Sequence, residues 1–305
     1  MRIFSQIFRF FHDLWQRRAQ KRRKTKARRE LISKRACGHS LPYVDAAKRY
    51  GNLGEEELTN LLLTDLPSVH IKRNVVIETS EGNAEIDCLL LYRDRLFAIE
   101  IKTWRGYITE TKDGFLQEKT DQYTSKIHTK VYKSPIKQLS RAIYLLKKQI
   151  PIKAWITPVV FFVEAEGVEL MQDSDAACFT EYSDLVRYVR TAAEPSMQAR
   201  AFFRSCVAGD VLYGIGYEQK NVGVIDRSTL IFSTDSGRTI TADRILSIDV
   251  THTQLYDTLH IQETDGVLSV VRERNRHIRV CINGITDSYA LSKIDRIELG
   301  RTRCP

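Results

Sequence analysis

The sequence contains no apolar run that approaches the roughly 20 residues of a membrane-spanning helix. Its six cysteines are scattered, without a C-x-x-C pair or a Cys/His pairing at zinc spacing. These absences argue against a spanning helix and a zinc ribbon, and they predict free thiols in a reducing compartment such as the cytoplasm. At 305 residues the chain should form about two domains, and a composition of 43% hydrophobic and 28% charged residues is ordinary for a globular protein with a real core.

Excess positive charge is confined to the N-terminus. The chain has a net charge of +9, and residues 1–30 contain eleven basic and two acidic residues, which accounts for the whole excess. The other 275 residues carry 36 basic and 36 acidic residues. Since phosphate neutralisation drives nonspecific binding to nucleic acid, a neutral body argues against tight unassisted binding to a duplex.

Residues 1–35 combine an apolar stripe with a basic run. Apolar residues recur at helical spacing between Ile3 and Trp15, and nine Lys or Arg follow between Arg17 and Arg29. The pattern predicts a basic amphipathic helical arm. It is poor for a signal peptide, because the charge follows the apolar part. Three roles remain open: peripheral contact with an anionic membrane, a grip on nucleic-acid phosphates, or a helix packed on the body.

The region from about residue 50 to residue 193 alternates helical and strand patterns, which favours an α/β or α+β domain. Helices are predicted at 54–66 and from Pro135 onward, and strands at 70–78, 85–92, 95–104 and 155–164. The tight Arg93-Asp94 turn should make the second and third strands antiparallel neighbours. A further hairpin is predicted to turn at Asp113-Gly114, before a polar stretch that leads to the second helix.

Glu100 and Lys102 interrupt the otherwise apolar stretch "LFAIEIKTW" (96–104) and share one face of the predicted strand. Charges on a buried strand are costly unless they pair or serve a site. The hairpin should bring Asp87 within about one residue pair of Glu100. Two carboxylates and a lysine would suit Mg²⁺, which activates water and stabilises charge on a phosphate. A plain ion pair between Glu100 and Lys102 is the alternative.

Four segments occur in an order that is typical of one protein family: "GNLGEE" (51–56), "EIDCLLL" (85–91), "AIEIKTWRG" (98–106) and "SPIKQL" (134–139). They resemble the G-x-x-G-E, I-D-hydrophobic, E-x-K-x-x-x-G and N-P-x-x-Q elements of the nuclease-related (NERD) domain. That family is a branch of the PD-(D/E)XK, restriction-endonuclease-like superfamily. Ser134 stands where the family usually has Asn. The resemblance covers about residues 48–165 and implies a restriction-endonuclease-like core.

The resemblance implies a role for each matching residue of the central strands. Asp87 and Glu100 would be ligands of Mg²⁺, or of Mn²⁺, and the backbone carbonyl of Ile101 would be a third ligand. Lys102 would be the catalytic lysine of the motif.

The two flanking helices would supply further residues. Glu55 matches the acid of the first helix, which reaches the metal directly or through water, and Glu56 is its rival if the register slips. Gln138 matches the glutamine that borders the site and contacts the phosphate backbone. Alternatively, Glu55 is only a first-turn acid that complements the helix dipole, and Gln138 is an ordinary surface residue.

Beyond about Gly209 the pattern changes to short β-rich runs separated by Asp, Ser and Gly turns. Residues 238–250 and 287–299 resemble each other, which suggests an internal duplication. We therefore expect three parts: the arm (1–35), a NERD nuclease-like domain (45–205) and an all-β module of unknown role (209–305).

Together these patterns predict a metal-dependent nuclease that hydrolyses phosphodiester bonds of DNA through a D...E-x-K site. The alternative is a catalytically inactive nuclease fold that binds nucleic acid or a protein partner, tethered to the inner face of a membrane by the arm. The superfamily fold hosts both kinds of member, because fold alone does not fix function.

Overall fold

The structure, a computed structural model, describes residues 46–120, 126–191, 195–214, 220–253 and 255–303. The predicted arm at 1–35 lies outside these residues. Residues from 45 onward group into one compact unit that contains two large sheets. The fold is α+β with mostly antiparallel strands, as the sequence predicts in outline, and the domain boundary near residue 209 stays a prediction.

Four α-helices lie in the described ranges: α1 Ala46–Asp65, α2 Pro135–Gln149, α3 Tyr182–Thr191 and α4 Ala199–Ser205. α2 begins where expected, because Pro135 occupies its first turn and Ser134 caps it by accepting a 3.2 Å hydrogen bond from the Lys137 N–H. No helix in the described part of the chain is both long and apolar enough to cross a membrane.

The first sheet has nine strands: β1 His70–Thr79, β2 Gly82–Tyr92, β3 Arg95–Thr111, β4 Gly114–Thr120, β5 Ile127–Tyr132, β6 Ile156–Glu169, β7 Ala177–Phe179, β8 Val207–Ala208 and β19 Thr302–Arg303. Its main order is β19-β1-β2-β3-β4-β5, while β6 pairs with β3. The β3–β6 and β6–β7 pairs are parallel, and the other pairs are antiparallel.

Helices α1 and α2 pack on opposite faces of this sheet. Leu58 and Leu62 of α1 join the cluster that contains Phe97 and Ile99 of β3. The apolar side of α2 joins the other cluster, which contains Leu96 and Ala98 of the same strand. Side chains alternate between the two faces along β3, so this strand packs against both helices. The same alternation determines the face on which each later side chain of β3 lies.

The β2–β3 hairpin turns at Arg93-Asp94, as predicted. Both residues have positive φ, 48° and 61°, which a two-residue hairpin turn of this hand requires. Two other sequence predictions need correction. The next hairpin turns at Lys112-Asp113, one residue earlier than expected, so Gly114 begins β4. The polar stretch before α2 contains strand β5, and five strands therefore separate α1 from α2.

The second sheet contains eight strands: β9 Asp210–Gly214, β10 Lys220–Ile225, β13 Ile245–His252, β14 Asp257–Glu263, β15 Leu268–Glu273, β16 His277–Ile282, β17 Ile285–Ala290 and β18 Ile294–Glu298. A small ladder joins β11 Phe232–Ser233 to β12 Thr239–Ile240. The two similar sequence segments each fold as strand, 3₁₀ turn and strand. Their second strands, β13 and β18, are antiparallel neighbours.

Candidate active site

The candidate site lies at a gap along one edge of β3. Strand β6 pairs with β3 from Leu96 to Thr109 and so occupies one edge of it. The other edge is shared by β2, whose pairing ends at Ile99, and by β4, whose pairing begins at Tyr107. The middle of β3, which carries Glu100 and Lys102, therefore faces the space between two strands.

Asp87 stands at the border of this gap. The β2–β3 ladder ends at the pair of Cys88 with Ile99, and Asp87 is the β2 residue immediately beyond that pair. Its Oδ2 accepts a 2.8 Å hydrogen bond from the main-chain N–H of Ile101. The N–H and C=O of a strand residue point toward the same edge. The carbonyl of Ile101 thus faces the same side as Asp87, as a third metal ligand would need to.

Glu100 and Lys102 are paired beside Asp87. The side chain of Glu100 is 1% exposed, and its Oε1 lies 2.5 Å from the Lys102 Nζ. The second oxygen, Oε2, is buried and has no hydrogen-bond partner among the described residues. The pair is therefore not a self-contained ion pair, because one carboxylate oxygen remains unsatisfied in a place closed to solvent.

The charged groups of this cluster shift one another's pKa values. Desolvation, together with the charges of Glu100 and Glu55, raises the pKa of Asp87 well above its usual range. Desolvation also raises the pKa of Glu100, against the opposing effect of Lys102. Burial alone would lower the pKa of Lys102, but the charges of Glu100, Asp87 and Glu55 outweigh it and raise the pKa. Lys102 therefore faces three acidic groups, and with Arg73 beside Glu55 the cluster has two cations for three acids, a remaining negative charge that favours a bound cation.

Glu55 is the acid of α1 that faces this cluster. Its side chain is 12% exposed, whereas Glu56 is exposed, so the structure favours the register in which Glu55 is the site residue. Gly54 permits the approach of the helix, because a Cβ on it would lie 2.8 Å from the Thr103 side chain. The sequence reading missed Arg73, whose guanidinium lies 3.8 Å from Glu55, since an arginine in a strand carries no local signal.

Gln138 is not drawn into the cluster. Its side chain is exposed on α2, and no hydrogen bond joins it to the acidic residues among the contacts that the structure describes. The structure also shows the positions of two residues that follow Lys102 on β3, one aromatic and one basic. Trp104 packs against the α2 side of the sheet, and Arg105 pairs with Glu164. The roles of all these residues stay predictions.

The donor set can be compared with the needs of Mg²⁺. Within the described residues, no three His, Cys, Asp or Glu side chains come together closely enough to hold a metal ion by themselves. Mg²⁺ needs only one or two carboxylates, because it keeps several of its waters. Asp87, the unsatisfied oxygen of Glu100 and the Ile101 carbonyl fit such a hydrated ion.

One comparison with known proteins identifies a related family. Residues 50–163 match the family model of the nuclease-related domain. This part of the chain is therefore similar to the NERD family, which belongs to the PD-(D/E)XK-like nuclease superfamily. The search of the curated proteins and the search of the solved structures each found no match. The resemblance seen in the four sequence segments is thus confirmed.

Proposed function

We propose that the chain is a metal-dependent nuclease that hydrolyses phosphodiester bonds of DNA. The observation that carries the proposal is the unsatisfied, buried Oε2 of Glu100 beside Asp87 and Lys102. We assign the first sheet, with α1 and α2 on its two faces, to a restriction-endonuclease-like core. A structural ion pair would not need a second carboxylate at the same gap in the sheet.

Each residue of the cluster has a distinct task in this proposal. Asp87, Glu100 and the carbonyl of Ile101 would hold Mg²⁺, or Mn²⁺, with Glu55 acting directly or through water. When bound, the ion would lower the pKa of a water and polarise the phosphate. Lys102, held by Glu100, keeps a positive charge at the point where negative charge develops on the phosphate. Gln138 would border the path of the nucleic-acid backbone.

The test is incubation of the purified protein with linear, circular and single-stranded DNA in the presence of Mg²⁺, Mn²⁺ or EDTA. We expect cleavage with either metal ion and none with EDTA. Asp87→Asn and Lys102→Gln should each lower the rate by at least about a hundredfold, the order seen when one electrostatic contact to a transition state is removed. Cleavage that survives both substitutions would overturn the assigned site.

Adjacent acids of α1 provide a matched control. Glu55→Gln should slow cleavage, whereas Glu56→Gln, on the exposed side of the same turn, should leave the rate unchanged. Circular dichroism and thermal unfolding of each variant show whether it is folded. Equal losses in the two variants would contradict the role of Glu55.

A second function competes with this one: a nuclease fold that binds nucleic acid or a protein partner without cutting. The observation in its favour is that Lys102 already occupies one oxygen of Glu100, and that no third side-chain ligand converges on the described site. The basic arm at 1–35 would then tether the domain to the inner face of a membrane. Failure of folded protein to cleave any substrate would support it.

A further inference from the structure

An aromatic stack connects the candidate site to the β4–β5 hairpin. Trp104 follows Lys102 by two residues, and its ring lies 4.2 Å from the Tyr132 ring, at 19° to it. The Nζ of Lys130 lies 4.6 Å from the centre of the same Tyr132 ring. The ammonium group of Lys130 on β5 therefore packs on an aromatic pair whose other member, Trp104, lies two residues from Lys102 on β3.

Hydrogen bonds fix this arrangement. Gln117 of β4 donates a 2.8 Å bond to the carbonyl of Arg105, and Tyr132 donates a 3.2 Å bond to Gln117. The stack is thus anchored to β3 through the residue that follows Trp104. Lys130 therefore packs on aromatic and amide side chains that hold one another through ring stacking and hydrogen bonds.

Further basic groups lie on the same face of the hairpin. In the β4–β5 ladder Gln117 is opposite Lys130, and Lys119 is opposite His128. Directly opposite residues share a face, and residues two apart along a strand do so as well. Lys119, His128 and Lys130 therefore extend the face on which Trp104 stacks. All three are exposed.

This concentration of charge is local. Residues 31–305 contain equal numbers of Lys or Arg and Asp or Glu, yet the two exposed charges on this face are both lysines, next to His128, and the acid of β4, Glu118, lies on the opposite face. Lysine on an edge strand discourages pairing with other chains, which is a sufficient reason for Lys130 on β5. β4, which carries Lys119, lies between β3 and β5, so edge protection does not account for Lys119.

We propose that the basic face of β4 and β5, formed by Lys119, His128 and Lys130, binds the phosphate backbone of the nucleic acid that enters the candidate site. This inference rests on the proposed function for its choice of partner, since the face runs directly to Lys102 through Trp104. His128 and Lys130 are two residues apart on β5, a separation of about 7 Å at ~3.3 Å per residue. That separation is close to two phosphate steps of one nucleic-acid strand at ~3.4 Å per step.

The experiment measures binding of the full chain to a fluorescent DNA duplex in EDTA, at several salt concentrations. The double variant Lys119→Glu/Lys130→Glu keeps a charged edge strand but reverses the attraction to phosphate. We expect the double variant to bind DNA more weakly than the wild type. The slope of log Kd plotted against log salt concentration should also fall by about two, which is one for each lysine. The matched control Lys153→Glu/Lys293→Glu makes the same change of charge at two exposed positions away from the hairpin. It should bind like the wild type.

The possible outcomes separate this inference from the proposed nuclease activity. Loss of binding in the hairpin variant alone supports the surface, even if the wild type fails to cleave DNA with Mg²⁺. Equal binding by the hairpin variant, the control and the wild type overturns it, even if the wild type cleaves. Loss of binding to phosphatidylserine vesicles with DNA binding intact would assign the face to a membrane and overturn it as well.

Discussion

The main-chain N–H of Ile101 donates its hydrogen bond to the carboxylate of Asp87, at the point where the β2–β3 ladder stops. In an uninterrupted antiparallel ladder that N–H would be bound by a carbonyl of the neighbouring strand. The side chain of Asp87 replaces that carbonyl, so it ends the ladder and is fixed next to Glu100 at the same time. The position of the candidate site is thus a consequence of how the sheet is paired.

The first prediction concerns Asp87 and bound Mg²⁺. Asp87→Asn keeps an oxygen that can accept the bond from Ile101 and removes a charge that Glu100 and Glu55 repel. In EDTA we therefore expect unfolding at the same temperature as the wild type or a higher one. Mg²⁺ should raise the Tm of the wild type, since a ligand at a hundred times its Kd stabilises by about 2.7 kcal/mol, and this rise should be absent in the variant.

Thermal unfolding with EDTA and with Mg²⁺ measures both effects. Asp113→Asn, an exposed position in the β3–β4 turn, is the control and should retain the rise in Tm. A full rise in the Asp87→Asn variant would show that Mg²⁺ binds elsewhere.

Much of this site could be predicted because it depends on local pattern. The apolar strand around Glu100, the tight Arg93-Asp94 turn and the period of two are enough to bring Asp87 and Glu100 together. β5 could not be predicted in the same way. Its side chains from Ile127 to Val131 are all exposed, since it is an edge strand without a buried face, and no alternation marks it.

Pairings between distant segments are a second limit. β3 lies parallel to β6, and β19 at the C-terminus pairs with β1 more than 200 residues earlier. Apolar composition shows that such strands are buried but does not name their neighbours. For the same reason the role of Arg73 could not be predicted, because its proximity to Glu55 depends on how α1 crosses the sheet.

The second prediction concerns the approach of α1 to the sheet at Gly54. Alanine is the better helix former by about 1 kcal/mol, but its Cβ would lie 2.8 Å from Thr103 and 3.3 Å from Val163. Overpacking of this kind costs about 1–3 kcal/mol, so Gly54→Ala should lower the free energy of unfolding despite the gain in propensity. Urea unfolding measures it. Asn60→Ala on the exposed side of α1 is the control and should be neutral or stabilising, and equal effects at both positions would contradict the contact.

The third prediction concerns Glu263 in the second sheet. Its side chain is inaccessible to solvent, accepts a 2.6 Å hydrogen bond from Ser269 and pairs with Arg238 and Arg244. The Ser269 bond and the two arginines hold the pKa of Glu263 below its ordinary value of 4.5. At pH 7 we expect Glu263→Gln to lower the free energy of unfolding by about 2 kcal/mol, the scale of hydrogen bonds to a charged group.

The lowered pKa also fixes the direction of the pH effect. Above pH 4.5 the carboxylate is charged in both states, so its stabilisation is complete; below pH 4.5 the unfolded state takes up the proton first, and the stabilisation is lost as the pH falls. Urea unfolding at pH 7 and at pH 4 should show a smaller gap between wild type and Glu263→Gln at the lower pH. Asp235→Asn, at an exposed acid of the same module, should differ little from the wild type at pH 7. A gap that widens in acid would contradict the pairing.

The last prediction concerns the thiols of Cys178 and Cys206. Burial is the main cause that raises the pKa of each to about 12, and the Cys206 thiol also donates a 3.3 Å hydrogen bond to the Phe202 carbonyl. The thiolate is the reactive form, and at pH 8 it makes up roughly one part in ten thousand of such a thiol. Iodoacetamide at pH 8 should therefore leave both cysteines unmodified in the native protein and label both in urea, as peptide mass spectrometry would show. Rapid labelling of either cysteine in the native state would mean that α4 or β7 opens readily, because only exposure would restore an ordinary pKa.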